Sequence, residues 1–240
     1  MEKLYRRFLA ALALFTVELL FIWAIFLVCL VVFYGLAREI VLSEGKVDFD
    51  MAAFAWTDQI ASEGRTRFVI FITNLASRYF LPVAALALIF YFLWVRKQRW
   101  YSLKVPVIAI GSITLNEVLK YIFDRPRPVI PHLVEATGLS FPSGHAMVSA
   151  SFYGLLIYLV WINVRPFGLR LFFSALLLLL ILLIGFSRVY LRVHYASDVL
   201  AGFAGGFLWL IVAVGALRRI ERFTRRRIAP VVENPDLLQE

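Results

Sequence analysis

The chain contains the run Leu171-Phe-Phe-Ser-Ala-Leu-Leu-Leu-Leu-Leu-Ile-Leu-Leu-Ile-Gly-Phe186, in which no residue is charged. Arg165 and Arg170 precede this run, and Arg188 follows it closely. The apolar residues are continuous rather than alternating, which favours a helix over a strand of a membrane barrel. A continuous apolar run with charges only at its ends predicts a helix that crosses a membrane.

The rest of the chain repeats this pattern. Of its 240 residues, 62% are hydrophobic and only 17% are charged, whereas about a quarter are charged in soluble proteins. The predicted spans cover about residues 9–36, 68–95, 105–123, 143–163, 171–186 and 195–217. The first span is too long for the apolar core of a signal peptide and no small-residue cleavage pattern follows it. The sequence therefore predicts an all-α polytopic membrane protein with six transmembrane helices and one domain over residues 1–240.

The basic residues predict the orientation of these helices. Most of the 25 lysine and arginine residues lie at the N-terminus, around positions 96–104 and 165–170, and in a basic and polar tail over residues 218–240. The opposite first connection, about residues 37–67, instead carries the acids Glu39, Glu44, Asp48, Asp50, Asp58 and Glu63. Because cytoplasmic loops are enriched in lysine and arginine, both termini are predicted to be cytoplasmic. This placement also accounts for the net charge of +9, so no nucleic-acid partner is predicted.

Three polar segments fall together on the predicted outer side. They are Lys120-Tyr-Ile-Phe-Asp-Arg-Pro-Arg127-Pro128, Phe141-Pro-Ser-Gly-His145, and Ser187-Arg188-Val-Tyr-Leu-Arg192-Val-His194-Tyr-Ala-Ser-Asp198. The topology was derived from charge alone, so their common side is an independent observation. It predicts that residues far apart in the sequence form one site.

Five cations in these segments lie on the side that should be poor in cations. They are Lys120, Arg125, Arg127, Arg188 and Arg192. A cluster of this kind needs an anion, and phosphate suits it because guanidinium groups bind phosphate oxygens through paired hydrogen bonds. For Arg125 and Arg192 the alternative of pairing with acids of the outer loop stays open.

The second and third segments add candidate catalytic groups. Ser143 is a candidate helix cap, and Gly144 lets backbone approach a ligand closely at a helix start, where free amides bind anions. His145 then lies in the first turn beside that anion. His194 and Asp198 are four residues apart, so on a helix they share a face. A carboxylate bonded to one imidazole nitrogen leaves the other nitrogen free to act as a nucleophile.

These residues resemble the type 2 phosphatidic acid phosphatase superfamily, which also includes vanadium-dependent haloperoxidases and bacterial acid phosphatases. Its signature has three parts: lysine, six residues and Arg-Pro; Pro-Ser-Gly-His; and Ser-Arg, five residues, histidine, three residues and aspartate. The chain carries all three at the required spacing, within residues 120–198. The six-span layout resembles the lipid-phosphatase branch of this superfamily.

The resemblance implies a role for each residue. His194 would attack phosphorus, Asp198 would orient its ring, and His145 would protonate the leaving oxygen and later activate water. The phosphate would be bound by Lys120, Arg127, Ser143, Gly144 and Arg188. No metal or cofactor is implied, and the sequence has only three histidines and no carboxylate cluster suited to a divalent ion.

The expected function is hydrolysis of a lipid phosphate or diphosphate in a plasma or inner membrane, at a site facing the periplasm or cell exterior. Candidate substrates by resemblance are undecaprenyl diphosphate, phosphatidylglycerol phosphate and phosphatidate. A lipid-to-lipid phosphotransferase and a lipid A phosphatase are alternatives on the same scaffold, and a non-catalytic transporter or lipid-binding protein is an alternative of another class. The oligomeric state stays open.

The sequence also contains polar residues and glycines of interest outside the motifs. Glu117 can pair with Lys120, and His132 is expected to be an ordinary residue of the outer loop. Gly202 and Gly206 are spaced for close helix packing. Glu18 and Arg78 are predicted intramembrane charges without an assigned role.

Overall fold

The computed structural model describes residues 2–43 and 47–224, with side chains from Leu19 onwards except at position 48. All regular structure in these residues is helical, which confirms the predicted all-α class. The α-helices are α1 (Glu2–Leu42), α2 (Asp48–Gln59), α3 (Glu63–Asn74), α4 (Phe80–Phe90), α5 (Arg99–Phe123), α6 (Gly144–Asn163), α7 (Phe167–Tyr190) and α8 (Ala196–Phe223). A π-helical segment, Tyr91–Val95, continues α4.

Five of these helices are long and apolar enough to cross a membrane. They cover Leu19–Leu42, Arg99–Phe123, Gly144–Asn163, Phe167–Tyr190 and Ala196–Phe223. The shorter apolar stretch Phe80–Val95 stands beside them. The prediction of a multi-pass membrane protein is therefore confirmed. Glu18 belongs to α1, but its side chain lies outside the described residues.

The second predicted span is not one continuous helix. The helical run stops at Asn74 and resumes at Phe80, where the Ser77 hydroxyl accepts the Phe80 amide at 3.1 Å. Arg78 lies in this break with its side chain exposed, over the ring of Tyr79. The second predicted span is therefore interrupted, and Arg78 lies in the interruption, where the Ser77 hydroxyl satisfies a backbone amide at the start of α4.

Helix α6 lies at the centre and packs against α5, α7 and α8. Its contact with α8 is close because α8 presents glycines to it. A methyl group on Gly202 would lie 2.7 Å from the Ser143 carbonyl oxygen, and one on Gly206 would lie 2.4 Å from the Met147 carbonyl oxygen. The prediction that these glycines serve helix packing is confirmed. The contact matters for function because it fixes the first turn of α6 against α8.

The far end of α8 extends beyond the predicted span. The helix continues to Phe223, so residues 218–223 of the predicted tail are helical, and residues 225–240 lie outside the described part of the chain. Glu221 on this extension pairs at 3.1 Å with Lys104, which is buried near the start of α5 and lies over the ring of Tyr101. This ion pair joins α5 to α8 at the end of the bundle opposite the motifs.

Candidate active site

Four helix ends meet at one end of the bundle. They are the C-terminal ends of α5 and α7 and the N-terminal starts of α6 and α8. The segments between them are joined by backbone hydrogen bonds: the Ser143 amide donates to the Asp198 carbonyl at 3.0 Å and the Ser140 amide donates to the Arg125 carbonyl at 2.8 Å. The three polar segments of the sequence are thus brought together.

A tight turn between α7 and α8 delivers His194 to this place. Arg192 adopts a left-handed conformation with φ 62°, which is uncommon for a residue other than glycine. The Arg188 carbonyl then accepts the amides of Val193 at 3.1 Å and His194 at 3.3 Å. The backbone of His194 is therefore fixed to the end of α7.

His194 and Asp198 meet, but not in the way that the sequence predicted. His194 precedes α8, which starts at Ala196, so the two residues do not share a helical face. Asp198 lies in the first turn of α8 and directs its Oδ2 back toward His194 Nδ1, 3.5 Å away. The same oxygen accepts the Tyr195 amide at 2.9 Å. The physical reason is that an acid in the first helical turn caps the helix, and this geometry places it opposite the residue before the helix.

The remaining contacts of His194 indicate its tautomer. Arg127 Nη1 lies 3.3 Å from His194 Nε2, and a guanidinium can only donate. A hydrogen bond there requires an unprotonated Nε2, so the ring proton lies on Nδ1, facing Asp198. Burial lowers the pKa of His194 from 6.5 to about 4, although the hydrogen bond and charge of Asp198 raise it. The imidazole is therefore neutral near pH 7, with the lone pair of Nε2 directed into the site.

Asp198 is completely buried and receives two further hydrogen bonds. The Ser140 hydroxyl donates to Oδ2, and Arg125 Nη1 donates to Oδ1 at 2.6 Å. Ser140 Oγ also lies 3.4 Å from His194 Nδ1. The carboxylate is thus held between a cation on one side and an imidazole on the other.

The start of α6 forms the opposite wall of the site. A side chain on Gly144 would place its Cβ 2.9 Å from Asn116 Oδ1 and 3.9 Å from Lys120 Nζ, so only glycine lets the helix start approach α5. Asn116 holds this approach by donating to the Pro142 carbonyl at 3.1 Å. His145 follows in the first turn, where the positive charges of Arg188, Lys120 and Arg127 act on it.

Ser143 Oγ and Arg188 Nε are buried polar atoms at the site. Ser143 is the N-cap residue of α6, yet its hydroxyl makes no capping hydrogen bond. Within the described part of the chain, neither Ser143 Oγ nor Arg188 Nε has a hydrogen-bond partner. Arg188 is held from its other side by Thr73 of α3, whose hydroxyl accepts Nη1 at 2.8 Å. Buried groups that the fold leaves without partners are suited to a ligand.

The five cations of the three polar segments divide into two groups. Arg125 pairs with Asp50 and Asp198, and Arg192 pairs with Asp58 at 2.6 Å, so the alternative of outer-loop acids is correct for both. Among the residues that the structure describes, Arg127 and Arg188 form no ion pair with a carboxylate. Lys120 meets Glu117 at 3.5 Å, as predicted, in a contact that is mostly exposed on the glutamate side.

Arg127 is held in place by the backbone instead of by acids. Its guanidinium donates to the carbonyl oxygens of Thr137 at 2.9 Å, Gly138 at 3.0 Å and Val193 at 2.6 Å. Neutral carbonyls orient the cation without forming an ion pair with it. Burial lowers the pKa of Arg127, and the charge of Asp198 opposes that effect.

Several residues of the site were missed by sequence reasoning. The sequence assigns Asp50 only to an acidic connection and predicts no role for Ser140, Thr73 or Asn116. Asn116 could have been noticed, because it is an amide within an apolar span. The other three residues have no feature in the sequence that indicates a place in the site. His132 is placed apart, with its Nε2 3.1 Å from the Pro128 carbonyl oxygen.

The arrangement can bind a tetrahedral anion and present a nucleophile to it. The cations and the helix start supply positive potential, and His194 Nε2 faces them. In the described ranges no group of three or more histidine, cysteine, aspartate or glutamate side chains is placed to hold a metal ion.

Comparison with known proteins gives a consistent picture. Phosphatidylglycerophosphatase B of Bacillus subtilis is 33% identical over 161 residues, which cover 65% of this chain and 76% of the relative. Undecaprenyl-diphosphatase of Sulfolobus acidocaldarius is 27% identical over 220 residues, which cover 85% of this chain and 97% of the relative. The crystal structure of a transmembrane PAP2 type phosphatidylglycerolphosphate phosphatase from Bacillus subtilis superposes with a TM-score of 0.70 at 29% identity, over 82% of this chain and 98% of that one.

A family model decides the classification. The model described as PAP2 superfamily matches residues 101–222, a range that contains α6, α7, nearly all of α5 and α8, and every motif residue from Lys120 to Asp198. The chain belongs to the PAP2 superfamily, the type 2 phosphatidic acid phosphatases and their relatives.

Proposed function

We propose that this chain is a membrane phosphatase that hydrolyses a lipid phosphate or diphosphate through a phosphohistidine formed on His194. One observation carries the proposal: a buried neutral imidazole, backed by Asp198, directs its unprotonated Nε2 toward Arg127. Among the described residues, neither Arg127 nor the nearby Arg188 forms an ion pair with a carboxylate. The group lies at one end of a bundle of helices that are long and apolar enough to cross a membrane, where a lipid head group can reach it from the bilayer surface. The relatives reported above are named as lipid phosphatases, which supports the same conclusion.

In the first half of the reaction His194 Nε2 attacks phosphorus. A bond forms between Nε2 and phosphorus while the bond from phosphorus to the leaving oxygen breaks, and protonated His145 gives its proton to that oxygen. The imidazole becomes positively charged, and Asp198 stabilises it through the proton on Nδ1. The charge on the phosphoryl oxygens is stabilised by cations and hydrogen-bond donors, as phosphoryl transfer requires. These groups are Lys120, Arg127, Arg188, the Ser143 hydroxyl and the Gly144 amide.

In the second half, water completes the hydrolysis. His145, now neutral, takes a proton from water as its oxygen attacks phosphorus. The bond between Nε2 and phosphorus breaks, inorganic phosphate leaves, and His194 returns to its neutral form. With a diphosphate substrate the first leaving group is the lipid monophosphate, and the second half is unchanged.

We place the site on the outer side of a plasma or inner membrane, with both termini in the cytoplasm. This topology needs six crossings, with Phe80–Val95 completing one of them. The stretch is roughly 24 Å long as a helix, close to the hydrocarbon thickness of about 30 Å. The polar break before it and α3, which packs on α7, then lie at outer head-group depth. The basic residues near Arg99 and Lys104 support the same orientation.

A phosphate-release panel tests the proposal. Purified protein is assayed in detergent with undecaprenyl diphosphate, phosphatidylglycerol phosphate, phosphatidate and lipid A, each with EDTA present. We expect turnover of at least one of these lipids, and a loss of at least about a thousandfold in His194→Asn. Gel filtration of that variant checks that it remains folded. Near-normal turnover by His194→Asn would overturn the mechanism.

The same panel separates hydrolysis from phosphotransfer. In water enriched in ¹⁸O, attack of water on the phosphohistidine places one heavy oxygen in the released phosphate. Transfer to a second lipid would instead place the phosphate on that acceptor without the label. Mass spectrometry of the phosphate and extraction of the lipids distinguish the two products.

A further inference from the structure

Helix α2 carries a buried carboxylate that belongs to none of the three motifs. Asp50 is only 1% exposed, although it lies in the outer connection between α1 and α3. Its Oδ1 accepts the Ser197 amide at 2.8 Å, and its Oδ2 accepts the Ser197 hydroxyl at 2.6 Å. Asp50 therefore binds the first turn of α8, one residue away from Asp198.

Arg125 connects this carboxylate to the one behind the nucleophile. It donates from Nη2 to Asp50 Oδ2 at 2.9 Å and from Nη1 to Asp198 Oδ1 at 2.6 Å. The guanidinium also lies 4.0 Å from the ring centroid of Tyr195, which limits its movement. A continuous series of buried polar contacts thus runs from Asp50 through Arg125 and Asp198 to His194.

We propose that Asp50 is a positioning residue that sets the charge and orientation of Asp198 and, through it, the reactivity of His194. The inference rests on the proposed function, because it assigns Asp50 a part in the phosphorylation of His194. Asp50 acts through Arg125 and Ser197 and does not touch the phosphate.

Charge is the first route of this action. Arg125 lies between two carboxylates, so its single positive charge is shared between Asp50 and Asp198. Without the charge of Asp50, Arg125 would neutralise Asp198 more fully. Asp198 would then stabilise less well the positive imidazole that forms when Nε2 of His194 bonds to phosphorus. In a buried site of low effective dielectric such a change acts strongly.

Geometry is the second route. The two hydrogen bonds from Ser197 fix the start of α8, and Arg125 fixes one oxygen of Asp198. The other oxygen is then left facing His194 Nδ1. Loss of the Asp50 carboxylate removes an acceptor from both partners, so the carboxylate of Asp198 can rotate away from the imidazole.

A simple anchoring role for Asp50 predicts something different. Helix α2 is also attached to the turn before His194 by Asp58, which pairs with Arg192 at 2.6 Å in a partly exposed contact. If Asp50 only held α2 in place, removal of either carboxylate would act in the same way. If Asp50 positions Asp198, only its own removal slows the chemical step.

The test compares Asp50→Asn with Asp58→Asn, two isosteric changes on one helix. Single-turnover phosphate release is measured with saturating enzyme over a phosphorylated lipid, on the folded fraction isolated by gel filtration. This rate constant does not depend on how much of the protein is folded. We expect it to fall about tenfold to a hundredfold in Asp50→Asn, the range typical of partners that orient a reactive imidazole, with KM nearly unchanged. We expect Asp58→Asn to stay within about twofold of the wild type.

Two further variants make each outcome decisive. Asp50→Glu keeps the charge and should recover part of the rate constant, and it is also measured if Asp50→Asn yields too little folded protein. An unchanged rate constant in Asp50→Asn, or an equal loss in Asp58→Asn, would overturn the inference. Retained activity in His194→Asn would overturn the proposed function itself. If His194→Asn is inactive and Asp50→Asn is as active as the wild type, only the role of Asp50 is refuted.

Discussion

The Ser143 hydroxyl offers a prediction in which stability and activity move independently. Ser143 precedes α6 at the position where a serine usually caps a helix, and such a cap is worth about 1 kcal/mol. Here the hydroxyl is fully buried and makes no hydrogen bond with the described protein atoms. We therefore expect Ser143→Ala to lose no protein hydrogen bond and to remove a buried polar group.

The expected effect of Ser143→Ala on the free energy of unfolding follows from this geometry. A lost cap would lower the free energy of unfolding by about 1 kcal/mol, which corresponds to roughly 2–4 °C in the thermal midpoint for a chain of this size. Without a cap bond the midpoint of Ser143→Ala should be equal to that of the wild type or higher, because a buried hydroxyl without a partner is unfavourable. The sign of the change in thermal midpoint therefore shows whether the Ser143 hydroxyl caps α6 or has no hydrogen bond to the protein.

The expected effect on activity is a loss. A hydrogen bond from a hydroxyl to a charged oxygen contributes about 1.5–3 kcal/mol, and 1.4 kcal/mol corresponds to a factor of ten. If Ser143 donates to a phosphoryl oxygen in the transition state, kcat/KM should fall about tenfold to a hundredfold. Phosphate release from the best lipid of the panel measures this fall, and thermal unfolding in the same detergent measures the midpoint.

A matched control lies two turns further along the same helix. Ser149 is also fully buried, but its hydroxyl donates to the Ala146 carbonyl at 2.9 Å. Ser149→Ala should lower stability slightly and leave kcat/KM unchanged. A lower thermal midpoint in Ser143→Ala together with wild-type activity would refute the reasoning, because it would show that the hydroxyl caps the helix and does not bind phosphate.

Three further predictions concern pH, packing and metal. His194 has a folded pKa of about 4, below its unfolded value near 6.5, so the unfolded chain binds its proton more strongly between these values. The stability that this neutral group contributes is therefore complete above pH 6.5 and decreases, by on the order of 1 kcal/mol per pH unit, as the pH is lowered from 6.5 to 4. The thermal midpoint of His194→Asn should therefore depend less on acid pH than that of the wild type. Gly206→Ala should destabilise the protein by about 1–3 kcal/mol because its Cβ would lie 2.4 Å from the Met147 carbonyl oxygen, whereas Gly215→Ala on the same helix meets nothing within 4 Å and should be neutral or stabilising in the same unfolding assay. Exhaustive treatment with EDTA should leave phosphate release unchanged, because side-chain cations and donors are proposed to bind the phosphate; loss of activity that added divalent ions restore would contradict this.

Much of the fold could be predicted because long apolar runs in the sequence indicate membrane helices. The bounds of α6 and α7 differ by a few residues from those expected for the fourth and fifth spans. The break at residues 75–79 was not predicted, because a hydropathy pattern averages over the few polar residues that satisfy the backbone there. The Ser77 hydroxyl satisfies one backbone amide through a local hydrogen bond. A single serine in an apolar run does not distinguish such a break from a continuous helix.

The meeting of the motifs could be predicted, but their detailed contacts could not. Charge placement put three segments on one side, and the structure joins them. A spacing of four residues predicts that His194 and Asp198 share a helical face, and this geometry is wrong because α8 begins between the two residues. The partners of Arg125 and Arg192 stayed open, because Asp50 and Asp58 are 75 and 134 residues away in the sequence and only packing selects such pairs.

The division of the five motif cations explains how one cluster can serve both the fold and the proposed phosphate site. Arg125 and Arg192 are paired with carboxylates, and their pairing holds α2 and the start of α8 in place. Arg127 is held by carbonyl oxygens and Arg188 by a hydroxyl, which orient each cation without cancelling its charge. A carboxylate at either place would stabilise the fold and also occupy the position proposed for phosphate. The choice between acidic and neutral partners therefore decides which arginines belong to the scaffold and which remain available to bind an anion.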